Sequence, residues 1–210
     1  MGVELGKPDS DGDWKLIRDL CGKTANAGAG IPADRWPFFG EFWVGPYQKL
    51  VPEWTLVARE KGRIVGYLTG CADTAPFEKK KLIRHTIPLS LKVLCGAYPF
   101  NQDIKWFLKR FLRLEAKWMK KYPADLVPKL EKEYPAHLHV NVDGTYRGGG
   151  VGRKLMDLYE SELKKAGIPG VHLYCGASPV GFYAKLGYET LAVGERFPGV
   201  MVYAMGKKLG

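Results

Sequence analysis

Arg147, Gly148, Gly149, Gly150, Val151, Gly152 and Arg153 follow one another directly ahead of a segment that reads as a helix. Glycine lets the backbone turn tightly and admits a ligand against the main chain with no Cβ in the way. The first N–H groups of a helix have no intrahelical partner and lie at the positive end of its dipole. Such a turn is an anion site and suits a pyrophosphate. Arg147, Arg153 and Lys154 add full charge beside it. A bare glycine-rich turn can also be nothing more than a loop, so the spacing matters. A dinucleotide fingerprint, G-x-G-x-x-G, is excluded because Arg153 stands where the third glycine belongs. A G-x-x-x-x-G-K-[ST] loop is excluded because Gly150-Val151-Gly152-Arg153 cannot supply it. The pattern that fits is Arg-x-x-Gly-x-Gly, at Arg147, Gly150 and Gly152.

Proton-handling residues are more scattered. Glu41, Asp73, His137, His139 and Asp143 are the candidate bases, and His139 leads because it sits in a predicted strand two residues before Asn141. A satisfied histidine in a half-buried strand is an equally good reading of His139. Asp143 reads as the residue that ends the strand and caps the next turn. Cys21, Cys71, Cys95 and Cys175 form no CxxC pair, and His85, His137, His139 and His172 show no metal-ligand spacing. Four separate reduced thiols, mostly buried, and no metal site are the expectation.

These residues need elements to position them. The chain has 210 residues, 46% of them hydrophobic, enough to bury a core without disulfides or metals. Val3–Leu5 reads as a short strand, and Ser10 or Asp11 caps a helix through Cys21. Phe38–Leu50 reads as a second helix interrupted at Gly45-Pro46. Trp54–Glu60 and Arg63–Ala72 form a hairpin around Lys61-Gly62. The stretch from Asp73 onward holds Pro76, Pro88, Pro99, Pro123 and Pro128 and one strong helix, Gln102–Lys121. Its apolar stripe is Ile104, Phe107, Leu108, Phe111, Leu112, Leu114 and Trp118. Residues 74–133 are therefore read as a helical insertion within a single domain spanning 1–210. Then come a strand (Ala136–Val142), a loop and helix (Gly148–Ala166), a strand (Gly170–Cys175), a short helix (Pro179–Leu186) and two strands (Tyr188–Val193, Val200–Met205). This order predicts an α/β (α+β) fold with a mixed sheet of seven strands.

The net charge is +10, from 32 Lys+Arg against 22 Asp+Glu. It suits an anionic ligand, an acidic partner or nucleic acid without choosing among them. Runs such as Lys79–Lys81 and Lys117–Lys121 are ordinarily solvated helix faces. Trp106, Phe107, Phe111 and Trp118 lie at helical spacing, which assigns them to a core and argues against stacking on bases. No apolar run reaches the roughly 20 residues of a membrane span. The acidic N-terminus has no apolar leader, so the cytoplasm is the expected location.

The segment "VNVDGTYRGGGVGRKLMDLYESEL" resembles the cofactor-binding motif of the GNAT N-acetyltransferases, and "FYAKLGYET" (Phe182–Thr190) resembles their later motif. The two stand in the family's order and at about its spacing. The resemblance implies the GNAT fold, acetyl-CoA as cosubstrate and an amine acceptor on a small molecule or peptide. It implies that the strand before the glycine loop splays from its neighbour. Backbone groups of Val140, Asn141 and Val142 would then hold the pantetheine arm, with the Val142 N–H polarising the thioester carbonyl. Gly148, Gly149, Gly150, Val151, Gly152 and Arg153 would hold the pyrophosphate, and Tyr183 would protonate the leaving thiolate. The family's asparagine seven residues before that tyrosine is replaced by Gly176, and Ser178 is the candidate for its contact. The insertion and the stretch from Trp36 to Trp54, where family members vary, would shape the acceptor pocket. Dimers are common in the family. "PAHLHVNV" ahead of "YRGGGVG" further resembles the acetyltransferase-like domain of O-GlcNAc hydrolases and its free-standing bacterial relatives. Because that domain is regarded as a pseudo-acetyltransferase, a binding module without catalysis stands as the alternative function.

Overall fold

The computed structural model describes residues 2–112, 122–123, 125–197 and 199–210. Seven strands form one mixed sheet: β1 (Glu4–Gly6), β2 (Leu56–Glu60), β3 (Arg63–Cys71), β4 (Ala136–Val142), β5 (Gly170–Cys175), β6 (Glu189–Phe197) and β7 (Val200–Lys208), in the order β1-β2-β3-β4-β5-β7-β6. Every neighbouring pair is antiparallel except β4 with β5. The hairpin β2–β3 turns through Lys61 (φ 49°) and Gly62 (φ 77°). Two successive positive φ values match the right-handed twist of the flanking strands.

Helices cover both faces. On one lies α8 (Val151–Lys165), whose apolar stripe buries Leu155, Met156, Tyr159 and Leu163 against Leu138 and Leu173. The Tyr159 hydroxyl lies 2.9 Å from the carbonyl oxygen of His137 and 3.0 Å from that of Cys71, so the helix is tied to β3 and β4 together. The other face carries α1 (Asp11–Thr24), α2 (Trp36–Trp43) and α3 (Gly45–Leu50), with Ile17, Cys21 and Val44 packed on Val57, Ile64 and Tyr67. Ser10 caps α1 by accepting from the Asp13 N–H at 3.2 Å.

Between β3 and β4 run α4 (Thr74–Lys81), a π-helical turn (Leu82–Thr86), α5 (Ile87–Leu94), α6 (Gln102–Phe111) and α7 (Leu126–Glu133). Only α6 is predicted from periodicity, and Arg113–Lys121 of that expectation lies outside the described residues, with Leu114, Lys117 and Trp118. The prolines that predict breaks instead stand in first turns: Pro76 in α4, Pro88 in α5 and Pro128 in α7. A first-turn N–H needs no intrahelical acceptor, so proline is tolerated there. Ile104 and Phe107 of α6 are buried with Leu89, Val93 and Phe38, which docks this segment on α2. Phe111 and Leu112 of the predicted stripe are exposed.

His85, in the π-helical turn, is 1% exposed. The Glu41 backbone lies near enough to favour its charged form slightly, yet neither ring nitrogen completes a hydrogen bond. Burial, and after it Lys49, push its pKa down from 6.5 to about 4. His137 is pushed to about 3, again first by burial. Both folded values lie below the unfolded one, so the stabilisation is complete above about pH 6.5 and is lost as pH falls toward 4 and then 3. His85→Leu removes an unsatisfied buried polar ring and should stabilise the protein at pH 7.5 by about 1 kcal/mol or more. Urea unfolding at pH 7.5 and pH 4.5 checks both effects: the variant should gain at the first pH and lose less on going to the second. A variant less stable than wild type at pH 7.5 would show that the ring is satisfied after all.

Candidate active site

The site begins where the sheet comes apart. β4 and β5 pair only at Ala136–Val171 and His137–His172. Beyond these residues β4 follows β3 to Val142, while β5 follows β7 to Cys175, and the two strands diverge. The Asp143 N–H donates to the Val65 carbonyl at 2.9 Å, toward β3. Backbone groups alternate in direction along an antiparallel strand, so those of Val142 and Val140 turn the other way, into the gap. Those of Asn141 turn toward β3, where it faces Tyr67.

The gap opens into a cleft of about 830 Å³. At one end the glycine loop enters α8. Gly148 (φ 79°) and Gly150 (φ 78°) occupy the left-handed region, and a Cβ at either would meet open space. Conformation, then, and not crowding, requires glycine at these two positions. Gly152 is different: a Cβ there would press on the Phe182 ring at 3.3 Å. Arg147, Arg153 and Lys185 line this end and make it cationic. Arg147 reaches back to the Val142 carbonyl, 3.4 Å from its Nε, and its guanidinium covers Gly28, in the loop after α1.

Tyr183, in the short helix α9 (Val180–Ala184), lines the middle of the cleft and is 7% exposed. Burial raises its pKa well above the ordinary phenol value, with nearby Cys175 adding to the shift. Its hydroxyl therefore keeps its proton throughout the working range of pH. Cys175 has its thiol pushed up to about 11 by burial, which makes it a poor nucleophile at neutral pH.

Of the five candidate bases, only His139 lines the cleft. Its ring stacks on Trp43 at 6.5 Å and 19°. It is exposed toward the cleft, and desolvation lowers its pKa. Asn141 Nδ2 lies 3.2 Å from His139 Nε2 and 2.7 Å from the Tyr67 hydroxyl. His137 is instead half-buried away from the cleft, its ring nitrogens 2.8 Å from the Tyr47 hydroxyl and 2.8 Å from the Thr74 hydroxyl. Asp143 pairs with Lys23 at 2.6 Å and accepts from the Thr145 N–H at 3.1 Å, ending β4 as expected. Glu41 pairs with Lys49 at 3.0 Å, and Asp73 caps α4.

Residues 124–190 match the family model described as an acetyltransferase (GNAT) domain. Over these residues the chain is similar to the GNAT acetyltransferases. Among solved structures, one described as SsHAT is 27% identical over the whole of both chains, with a TM-score of 0.73. A structure described only as an acetyltransferase is 18% identical over 99% of this chain and 100% of its own, with a TM-score of 0.58. YncA of Salmonella typhimurium, a putative acetyltransferase described with its cofactor acetyl-CoA, is 14% identical over 100% of this chain and 95% of its own, with a TM-score of 0.54. At those last two identities the likeness is one of fold.

Of the residues singled out by the motifs, Val140, Asn141, Val142, Arg147, Gly148, Gly150, Val151, Gly152, Arg153, Ser178 and Tyr183 line the cleft, as does Gly176, whereas Gly149 does not. No described residue between 74 and 133 lines the cleft itself, but Tyr122 of this segment packs on the lining residue Tyr174, their ring centroids 5.4 Å apart. The stretch from Trp36 to Trp54 does contribute, through Phe39 and Trp43. Sequence reasoning missed Cys21, Asn26 and Tyr174, all lining residues. Tyr174 alternates with Leu173 and Cys175 on β5, but nothing local shows that β5 loses its partner there.

Proposed function

We propose that this chain transfers an acetyl group from acetyl-CoA directly to an amine, with no acyl-enzyme. The divergence of β4 from β5 beside the glycine loop carries the reading. It frees the backbone of Val140 and Val142 and joins that opening to a cationic helix N-terminus. An extended amide-bearing arm fits the first feature and a pyrophosphate the second. Gly148 to Arg153, with Arg147, would hold the phosphates through backbone N–H groups and guanidinium charge. Val140, Val142 and Ser178 would hold the arm, and Asn141 would act through its side chain. Acetyl-CoA supplies an activated acyl group as a thioester.

The chain's own residues then manage protons and position. The amine nitrogen bonds to the acetyl carbon, the carbon–sulfur bond breaks, and sulfur leaves with its electron pair. The Val142 N–H is placed to stabilise the charge that develops on the carbonyl oxygen. Tyr183 is the proton donor to sulfur. A proton on nitrogen is far more acidic once the N–C bond has formed, so His139, a weak base, suffices to accept it. Holding amine and thioester together supplies much of the rate.

Calorimetric titration with acetyl-CoA, followed by release of free thiol in the presence of amines, tests this reading. Micromolar binding with amine-dependent thiol release is the expected result. Binding without release for any amine would leave a cofactor-binding module, and no binding would overturn the reading.

A further inference from the structure

The cleft has two differently built halves. Val140, Val142, Cys175 and Tyr183 pack with the α8 core. His139, Asn141 and Tyr174 alternate with them and so project from the opposite face of the sheet. On that face Phe39 and Trp43 of α2 complete the wall, the Phe39 ring lying 6.1 Å from that of Trp43. Trp43 is 38% exposed and Tyr174 44%, high values for large aromatic rings, and both face the same opening. A planar ring entering between them would cover that exposed aromatic area.

The charges point the same way. Among the described residues lining the cleft there is no Asp or Glu, and the charged groups are Arg147, Arg153 and Lys185. Phosphates at the loop end would neutralise those cations, but the α2 half would still hold no counter-ion for an ammonium group. An alkyl ammonium would have to shed its water unpaired and give up a proton held with a pKa near 10.4. Ring faces could attract such a cation, but they cannot take its proton. The imidazole lining the cleft, His139, is too weak a base to strip an alkyl ammonium, yet it can take the far more acidic proton left once the N–C bond has formed.

We infer that the acceptor is a flat, weakly basic aromatic amine that enters as the free base from the α2 side of the sheet, between Trp43 and Tyr174. This rests on the acetyl-transfer reading above. Such an amine delocalises its lone pair into the ring and is uncharged at neutral pH, so no base is needed before attack. Its nitrogen forms the N–C bond, the C–S bond breaks, sulfur takes the Tyr183 proton, and the surplus nitrogen proton passes to His139.

The test uses the full chain and three probes: para-anisidine, 2-phenylethylamine and putrescine. Acetyl-CoA binding is measured first and separately. We expect para-anisidine to give the highest kcat/KM at pH 7, with a profile flat from pH 6.5 to 8.5. For the two alkyl amines kcat/KM should rise about tenfold per pH unit as the free base accumulates. Trp43→Ala should raise the KM for para-anisidine about tenfold, leave acetyl-CoA affinity within about twofold, and be rescued largely by Trp43→Phe. Faster turnover of either alkyl amine at pH 7 overturns the inference. So does failure to acetylate para-anisidine by protein that binds acetyl-CoA, which leaves the cofactor reading standing. Protein that binds no acetyl-CoA removes both.

Discussion

Gly150→Glu should bind acetyl-CoA at least about a hundredfold more weakly than wild type. Two effects combine. Gly150 sits at φ 78° at the N-terminus of α8, where a side-chain-bearing residue is strained by about 1–2 kcal/mol. A Cβ at this position meets open space, so the new carboxylate would project into the region where anionic phosphates are held, against a site built for negative ligands. Loss of one charge-assisted interaction and gain of a repulsion together exceed about 2.7 kcal/mol, which is a hundredfold. Gly150→Ala separates the terms, since it carries the strain without the charge and should lose only a few-fold. The measurement is calorimetric titration of all three proteins, with thermal unfolding to show that each is folded. Equal affinity in the Glu variant would place the phosphates elsewhere.

Tyr183→Phe should lower kcat about a hundredfold or more while acetyl-CoA affinity stays within a few-fold. The ring packs among core residues of the α8 face, and phenylalanine keeps that packing. What disappears is the hydroxyl, whose pKa burial raises well above the usual phenol value. It therefore holds its proton at every working pH and can donate it as charge builds on sulfur, a role worth about 10²–10⁴ in rate. Steady-state kinetics beside calorimetry decides the matter. A matched loss in kcat and in affinity would mean that the hydroxyl binds and does not donate.

The parts of this site that the sequence reveals are those where backbone conformation dictates residue type. Gly148 and Gly150 are glycine because positive φ requires it, and they announce a loop that binds through its main chain. The hairpin at Lys61-Gly62 is legible for the same reason. Other parts depend on distant packing. Whether His137 or His139 is available is decided by Tyr47, Thr74 and Trp43, which lie far from both in sequence. Tyr174 becomes a cleft residue only because β5 stays with β7 while β4 stays with β3. The helices between β3 and β4 are hidden by first-turn prolines, which periodicity treats as interruptions. The cover that Arg147 lays over Gly28 joins two loops with no local sign of each other.

A sheet of seven strands ordinarily has two edges, here β1 and β6. The two-pair junction between β4 and β5 gives this one a second pair, inside the molecule. Open strand edges are hazards, because they recruit strands from other chains. These inner ones are sheltered by α8 on one face and by α1 and α2 on the other, so a broad foreign strand cannot lie flat against them. A narrow single chain of amides and methylenes can. The same shelter thus sets a size limit on what may pair with Val140 and Val142.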